Sequence, residues 1–357
     1  MQSTDEDVRK VATIKDIARL VGVSTATVSN TLNGKAGAAG AEKTKEIFRI
    51  ANELKYKPNT LAKSLKQRKT NTIGIITEDL TVFNTPEIVD GIDVYCEEQG
   101  YEIILANMRL FKRYNNDFTD TPKHQQLFES FVRNLMAKQV EGIIYVGYHC
   151  REISYMPVTL NVKVPFVYAY CFPKQPLYPA VLFDDEQAGY DVTKLLISHG
   201  HTNIGILCGP HVSKNAQARL LGVQKALYEG GVLYNASTTL YADWSKEQGY
   251  EKTDALLEKG VTAIFAFNDS MASGVYKRCI ERHIQIGRDI SLVGYDNIEL
   301  DEIYTPALTS VEAPLNTMGR KSAEMVLKQI RNEALENECI RLPCSLHVRA
   351  SVGDCPV

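Results

Sequence analysis

Two different spacings of apolar residues divide the chain. In the N-terminal part, apolar positions recur three or four residues apart, as on one face of a helix, beginning with Ile14 and Ile17. From residue 73 onward the chain carries short apolar runs, such as 142–146 and 263–267, with helical segments between them. Continuous apolar runs are typical of parallel strands buried on both faces. The pattern therefore predicts a small all-α head followed by a large α/β body with doubly wound parallel sheets.

The head contains the start and stop signals of three helices. Thr13 and Asp16 can form a reciprocal capping box, Gly22 can adopt the positive φ of a sharp turn, and Ser24 can cap a second helix that runs through Leu32. A third helix is predicted from apolar residues at core spacing, namely Ile47, Ile50, Ala51 and Leu54. Two helices joined by a tight turn form a helix-turn-helix arrangement. A helical hairpin that binds nothing is the alternative.

The charge is distributed unevenly. The whole chain of 357 residues has a formal net charge of −3, but residues 1–71 carry +7 and the remainder −10. A basic head on an acidic body suggests that the head meets a polyanion such as DNA. A charged surface that only contacts water would give the same count, so charge alone does not decide.

Several motifs together resemble the LacI/GalR family of bacterial transcriptional regulators. They are Thr13–Ala18, Gly22–Ser24, Thr27–Ser29, Leu32–Asn33 and Tyr56-x-Pro58-Asn59, and the similarity continues across the body. The resemblance implies a helix-turn-helix DNA-binding domain at 11–57, a hinge helix and linker at 58–72, and a two-lobed effector-binding and dimerisation domain at 73–357. That body would resemble periplasmic sugar-binding proteins, with three crossovers between its lobes and the ligand in the cleft. One departure is Ala41, where the family has a serine-like cap, so we expect a frayed start to the third helix.

The resemblance also assigns residues that would contact DNA. Thr25, Ala26 and Asn30 occupy positions that read base edges, and Asn30 can pair two-fold with an adenine edge. The remaining assignments in the head are phosphate contacts or helix caps: Thr13, Ser24, Thr27, Ser29, Asn33, Tyr56 and Asn59. We expect double-stranded DNA with a near-palindromic operator as the partner of a homodimer.

The hinge is predicted from residues 58–65, which have a proline near their start. Eight residues are too few for a stable isolated helix, so this segment should be disordered in the free protein and fold on DNA. By the resemblance, Leu65 would wedge into the central base step of the minor groove. An ordinary apolar linker residue is the alternative for Leu65.

Polar and aromatic residues at strand ends match the effector positions of the family. They are Phe83, Phe183, Arg219, Trp244, Asn268 and Asp296. Carboxylate, amide and guanidinium groups beside an aromatic platform suit a small polar ligand, and a sugar is the class that the resemblance favours. Arg219 and Asp296 could instead form an ion pair between the lobes, and Trp244 could be part of the core.

Metal and redox chemistry are not expected. The run Asp184–Glu186 is better explained as a helix cap than as a metal site, and His199 and His201 as structural residues. The eight cysteines are scattered without a C-x-x-C pair, so we expect reduced and mostly buried thiols, with Cys355 exposed and for that reason the one that reacts readily. There is no dinucleotide fingerprint and no phosphate-binding loop, so no cofactor is expected.

The remaining features concern location and class. No signal peptide or membrane span is recognisable, which leaves the cytoplasm, and no leucine heptad follows the last strand, which favours a dimer over a tetramer. Residues 108–123 look like an inserted surface loop near the cleft mouth. A sugar receptor without DNA function would need an export signal, and an enzyme would need a nucleophile or a cofactor loop. The sequence has neither, so it favours a ligand-responsive repressor.

Overall fold

A computed structural model gives the fold of the chain. It describes residues 12–56, 69–114, 121–148, 150–154, 157–160, 162–336 and 338–356. The chain divides into two compact units, residues 1–70 and 71–357. They are called here the head and the body, and each is described by itself.

The head is a three-helix unit. Its helices are α1 (Ile14–Val21), α2 (Thr25–Leu32) and α3 (Ala41–Glu53). Thr13 and Asp16 form the predicted capping box, Gly22 ends α1 with a φ of 70°, and Ser24 caps α2. The helix α3 begins at Ala41 behind Gly40, which offers no side-chain cap. One small core joins the helices: Ile17, Ala18, Val21, Val28, Ile47 and Ala51.

The first lobe of the body is built on a six-stranded parallel sheet. Its strands are β1 (Thr72–Thr77), β2 (Glu102–Asn107), β3 (Gly142–Val146), β5 (Phe166–Ala169), β7 (Ala180–Phe183) and β13 (Cys339–Leu342), in the order β13-β7-β5-β3-β1-β2. Separate apolar clusters form around this sheet, as expected for a doubly wound sheet. The short strands β4 (Glu152–Ile153) and β6 (Phe172–Pro173) pair beside it.

The second lobe has a similar sheet. Its strands are β8 (Ile204–Cys208), β9 (Thr239–Tyr241), β10 (Ala263–Ala266), β11 (Ser291–Tyr295), β12 (Thr309–Glu312) and β14 (Ser345–His347), in the order β14-β12-β11-β10-β8-β9. All described pairings in this sheet are parallel except that between β12 and β14. The chain crosses between the lobes after β7, after β12 and after β13, so the three predicted crossovers are present.

Helices connect the strands. In the body they are α4 (Thr85–Glu98), α5 (Leu110–Tyr114), α6 (Pro122–Ala137), α7 (Asp185–Ser198), α8 (Lys214–Glu229), α9 (Lys246–Leu257), α10 (Asp269–Glu281) and α11 (Leu315–Ile330). Short 3-10 turns cover Pro157–Leu160, Ala236–Thr238 and Glu299–Glu302. Within the described ranges, every helix is too short or too polar to cross a membrane.

Two expectations about surface residues are wrong. The segment 108–123 is not simply a surface loop, because residues 110–114 form α5 and both Met108 and Leu110 are buried. Among the thiols, Cys339 is the exposed one, since it lies on the edge strand β13, whereas Cys355 is only partly exposed. In both cases tertiary packing, which the local sequence does not report, decides the exposure.

Candidate DNA-reading helix and effector cavity

The second helix of the head presents a polar face to solvent. Thr25, Ala26 and Asn30 are exposed, whereas Val28 and Thr31 on the opposite side are buried in the head core. This division follows from helical periodicity, which places residues 25, 26 and 30 on one side. The three predicted base-reading residues are therefore available together, and their contact with bases stays a prediction.

Most of the other predicted DNA contacts in the head also hold helix ends. The Thr27 N–H donates to Ser24 Oγ at 3.0 Å, and Asn33 Nδ2 donates to the Ser29 carbonyl at 2.7 Å. The N–H and the hydroxyl of Thr13 both donate to Asp16 Oδ2, and Tyr56 packs half-buried on the head core. These side chains have structural roles, and a phosphate contact would be an additional one. Asn59 and Leu65 lie outside the described residues, as do residues 58–68 of the predicted hinge and linker.

A cavity of about 300 Å³ lies between the two lobes of the body. The lining residues come from the first lobe, from the second lobe and from the crossing segment: Phe83, Asn84, Tyr170, Phe183, Arg219, Tyr295, Asp296, Ala313 and Leu315. Four of the six predicted effector residues are among them.

Arg219 is the cation of this cavity, and its side chain is fixed by three neighbours. Nε donates to Asp185 Oδ1 at 2.8 Å, Nη1 donates to the carbonyl of Phe267, and the guanidinium lies 3.3 Å from the centre of the Tyr295 ring. Burial lowers the pKa of Arg219, but Tyr295 and Asp185 raise it, and the net shift is upward. The predicted alternative of an inter-lobe ion pair with Asp296 is wrong, because Arg219 pairs with Asp185 within the second lobe.

Asp185 is held in turn by two more donors. Asn215 Nδ2 donates to its Oδ2 at 2.5 Å, and the Tyr295 hydroxyl donates to its Oδ1 at 2.9 Å. Asp184, not Asp185, caps α7 by accepting from the Gln187 N–H at 3.2 Å. The helix cap expected from the acidic run is therefore confirmed at Asp184 alone. Asp185 instead pairs with Arg219, which lines the cavity.

Close helix packing brings Asp185 and Arg219 together. The helices α7 and α8 cross where Gly189 contacts the Arg219 backbone and Gly222 contacts the Glu186 backbone. A Cβ at either glycine would overlap a carbonyl oxygen of the other helix. The two glycines thus allow the approach that lets a residue at the start of α7 reach a side chain on α8.

Asp296 follows β11 and faces the cavity with an unusual backbone, at a φ of 122°. Burial, and next the nearby carboxylate of Asp269, raise the pKa of Asp296 well above its ordinary value. Asp269 is itself buried at the start of α10, where it accepts from Ser310 Oγ at 2.7 Å. This environment favours the protonated form of Asp296, which can both donate and accept a hydrogen bond.

Trp244 and Asn268 lie behind the cavity wall. The Trp244 ring contacts Gly209 and the core of the second lobe, and its ring centre lies 5.9 Å from the Arg219 guanidinium. Asn268 caps α10 and donates to the Trp244 carbonyl at 3.0 Å. Neither lines the cavity, so contact between these two residues and an effector stays a prediction.

The sequence analysis missed five lining residues, Asn84, Tyr170, Tyr295, Ala313 and Leu315, and the supporting residue Asp185. Tyr295 directly precedes the predicted Asp296, and Asn84 follows Phe83, so their positions beside predicted residues were a usable signal. Tyr170 directly follows β5 in the first lobe and had no such neighbour. His201 is structural, as expected, with its two ring nitrogens bonded to Thr262 and Ser291 at 2.9 Å each.

Comparison with known proteins finds matches to the head and to part of the body. A family model described as bacterial regulatory proteins, lacI family, matches residues 13–59, and one described as a periplasmic binding protein-like domain matches residues 193–352. The chain is 32% identical over 350 residues to the HTH-type transcriptional repressor PurR of Vibrio campbellii, covering 96% of this chain and 99% of the relative. The PurR repressor of Photobacterium profundum is 31% identical with the same coverage.

Solved structures agree with these relatives. A lac repressor dimer bound to operator and the anti-inducer ONPF superposes with a TM-score of 0.78 at 26% identity, covering 96% of this chain and 99% of that chain. A complex of the transcriptional regulator CelR with cellobiose gives a TM-score of 0.64 at 25% identity, covering 95% and 99%. These relatives are regulators and not enzymes. The chain therefore belongs to the lacI family of bacterial regulatory proteins and is a DNA-binding transcriptional repressor.

Proposed function

We propose that the protein is an effector-controlled repressor. A homodimer binds a near-palindromic operator in the cytoplasm, and a small polar ligand in the cavity changes its operator affinity. The observation that carries the proposal is the pairing of two features in one chain. The head exposes Thr25, Ala26 and Asn30 on one helix face, and the body encloses a cavity with Arg219 and Asp296 in its wall.

Control of DNA binding by the cavity rests on its position between two lobes. A ligand there contacts side chains of both lobes, so it favours the arrangement in which the lobes are close. A ligand shifts an equilibrium only through a difference in its affinity for the two states. Lobe closure provides such a difference, because the open arrangement offers only one wall at a time.

The effector we propose is a sugar or sugar derivative. Hydroxyl groups around a ring can bond to Arg219, Asp296 and Asn84, while Phe83 and Phe183 supply apolar surface. The structural neighbour CelR is solved with cellobiose, which supports the same class. A planar heterocycle is the second candidate, because four aromatic residues line the cavity and flat rings stack on aromatic faces.

The test has two steps. Selection from random duplex DNA should enrich a near-palindrome with half-sites about one helical turn apart. Thermal shift with a panel of sugars and heterocycles should then identify ligands that stabilise the fold. Each stabilising ligand should change the affinity for the selected duplex in wild type but not in Arg219→Ala. The proposal fails if no preferred duplex emerges, or if ligands that bind the cavity leave DNA affinity unchanged.

A further inference from the structure

The charge balance of the cavity restricts its ligand. Of the described side chains that line it, Arg219 is the cation and Asp296 is the carboxyl group. An arginine in a ligand cavity ordinarily suggests an anionic ligand, because its guanidinium pairs with phosphate and carboxylate groups. Here a carboxylate of the protein already occupies that role.

Asp185 neutralises Arg219 inside the protein. The two side chains are only 3% and 4% exposed, and their contact distance is 2.8 Å. Asn215 and Tyr295 hold the same carboxylate, so the pair is fixed on both sides. An anion entering the cavity would meet a neutral pair and would lose its hydration without gaining an unpaired cation.

The helix ends near the cavity do not restore a positive field. The helix N-termini carry partial positive charge, which ordinarily attracts anions. However, the first turns of α4, α7 and α10 contain acidic residues of their own, namely Glu87, Asp185, Glu186 and Asp269. The helix α11, whose first residue Leu315 lines the cavity, has no acid in its first turn, but its Asn316 backbone donates a hydrogen bond to Glu87 of α4. The N-terminus of α8 has Lys214, whose side chain is exposed and bonded to Gln217. Asp296, the acid among the described lining residues, cannot add positive charge in either protonation state.

The cavity also contains an acceptor in need of a donor. Asn84 Oδ1 is buried and accepts no hydrogen bond from the described part of the chain, while Asn84 Nδ2 donates to the Tyr148 carbonyl at 3.3 Å. A buried acceptor without a partner is costly, so a ligand whose binding opens access to this atom gains by supplying a hydroxyl or an N–H. The oxygens of a fully ionised anion can only accept, so they would oppose Asn84.

We infer that the effector is an uncharged molecule with hydrogen-bond donors, and that phosphorylated or carboxylated compounds are excluded from the cavity. This inference rests on the proposed function, since it names the class of ligand for the same site. For both sugars and heterocycles, the cavity should bind the neutral compound and not its phosphate derivative.

The experiment uses the full-length protein and measures binding by calorimetry. Inorganic phosphate is the first probe, and glucose with glucose 6-phosphate and adenine with adenosine monophosphate are paired probes. Wild type should show no saturable phosphate binding. Asp185→Asn leaves Arg219 without its counter-charge and should gain phosphate affinity by about tenfold or more. The gain should disappear in the double variant Asp185→Asn/Arg219→Ala.

Asp184→Asn is the matched control, because it removes the same charge from the neighbouring residue and keeps a good helix cap. It should behave as wild type. The inference is overturned if wild type binds phosphate, or prefers the phosphorylated member of a pair, in a manner that Arg219→Ala abolishes. It is also overturned if a folded Asp185→Asn gains nothing. Should that variant not fold, the paired probes on wild type decide alone.

Operator binding separates this inference from the proposed function. A neutral ligand that occupies the cavity without changing DNA affinity contradicts the proposed function and supports the inference. An anionic ligand that occupies the cavity and changes DNA affinity supports the function and overturns the inference.

Discussion

Asn215 forms a direct hydrogen bond between the lobes, and its removal should weaken effector binding. Its Oδ1 accepts from the backbone N–H of Cys150 in the first lobe at 3.1 Å, while its Nδ2 donates to Asp185 in the second lobe. Both Asn215 and Cys150 are buried. In Asn215→Ala the Cys150 N–H has no acceptor when the lobes are together, but it can bond to water when they separate.

The size of the effect follows from that difference. A buried donor left without a partner costs about 1–3 kcal/mol, and the cost falls on the closed arrangement alone. At about 1.4 kcal/mol per tenfold change, a ligand that requires closure should bind about 5- to 150-fold more weakly to the variant. The loss of the bond to Asp185 is common to both arrangements, so it contributes less to the change in affinity.

Two measurements on the full-length protein check this prediction. Calorimetry with an effector identified by thermal shift gives the change in affinity. Small-angle scattering of the ligand-free protein reports whether the lobes separate. We expect Asn215→Ala to bind the effector more weakly and to show a larger radius of gyration of the ligand-free protein.

The control is Lys214→Ala, since Lys214 is the preceding residue and its exposed side chain bonds only to Gln217 among the described residues. It should match wild type in both measurements. The reasoning is refuted if Asn215→Ala binds the effector as tightly as wild type while remaining folded. Weaker binding with unchanged scattering would show that the effect passes through Asp185 and not through lobe closure.

Three further predictions concern other parts of the protein. Asn30→Ala should relax base preference at one operator position and cost about 1–3 kcal/mol of binding free energy there. Competition with single-base operator variants measures this preference, and an equal preference in both proteins would show that Asn30 does not read a base. Burial, and next the neighbouring Asp269, raise the pKa of Asp301 from 3.8 to about 8, so the folded protein keeps a proton that the unfolded chain releases. The free energy of unfolding should therefore fall as the pH rises from about 4 to 8, and urea unfolding at both ends of this range should show a smaller fall in Asp301→Asn; an identical fall would contradict the assignment. Trp244 is the only tryptophan, so its emission should change saturably with effector because Arg219 lies 5.9 Å from its ring; a bound effector that leaves the emission unchanged would show that Trp244 is core.

The parts of the fold that depend on local signals could be predicted from the sequence. Thr13, Asp16, Gly22 and Ser24 act within one helical turn, so their capping and turn roles follow from their spacing alone. The buried strands of the body were equally visible, because apolar runs are themselves local. The position of Asp296 at the end of β11 followed from the topology of a parallel sheet, whereas the choice of Arg219, which lies inside α8, came from the resemblance alone.

The partner of Arg219 could not be predicted in the same way. Asp185 lies 34 positions before Arg219 and reaches it only because α7 and α8 cross at two glycines. Read locally, an acidic residue at a helix start is a cap, and Asp184 beside it has that role. The same difficulty affected the exposure of Cys339 and the burial of Leu110 in α5, because both depend on the packing of distant residues. An ion pair between such distant residues can be recognised only in the three-dimensional structure. In this protein that ion pair determines the charge of the cavity.

The most direct test of the central claim is an operator-binding titration with and without effector. A fluorescently labelled duplex from the random selection would be titrated with wild type and with Arg219→Ala, and anisotropy would give the dissociation constants. The account predicts that saturating effector changes the dissociation constant of wild type by about 5- to 150-fold and that of Arg219→Ala by little. An effector that binds the cavity and leaves the dissociation constant of wild type unchanged would contradict it.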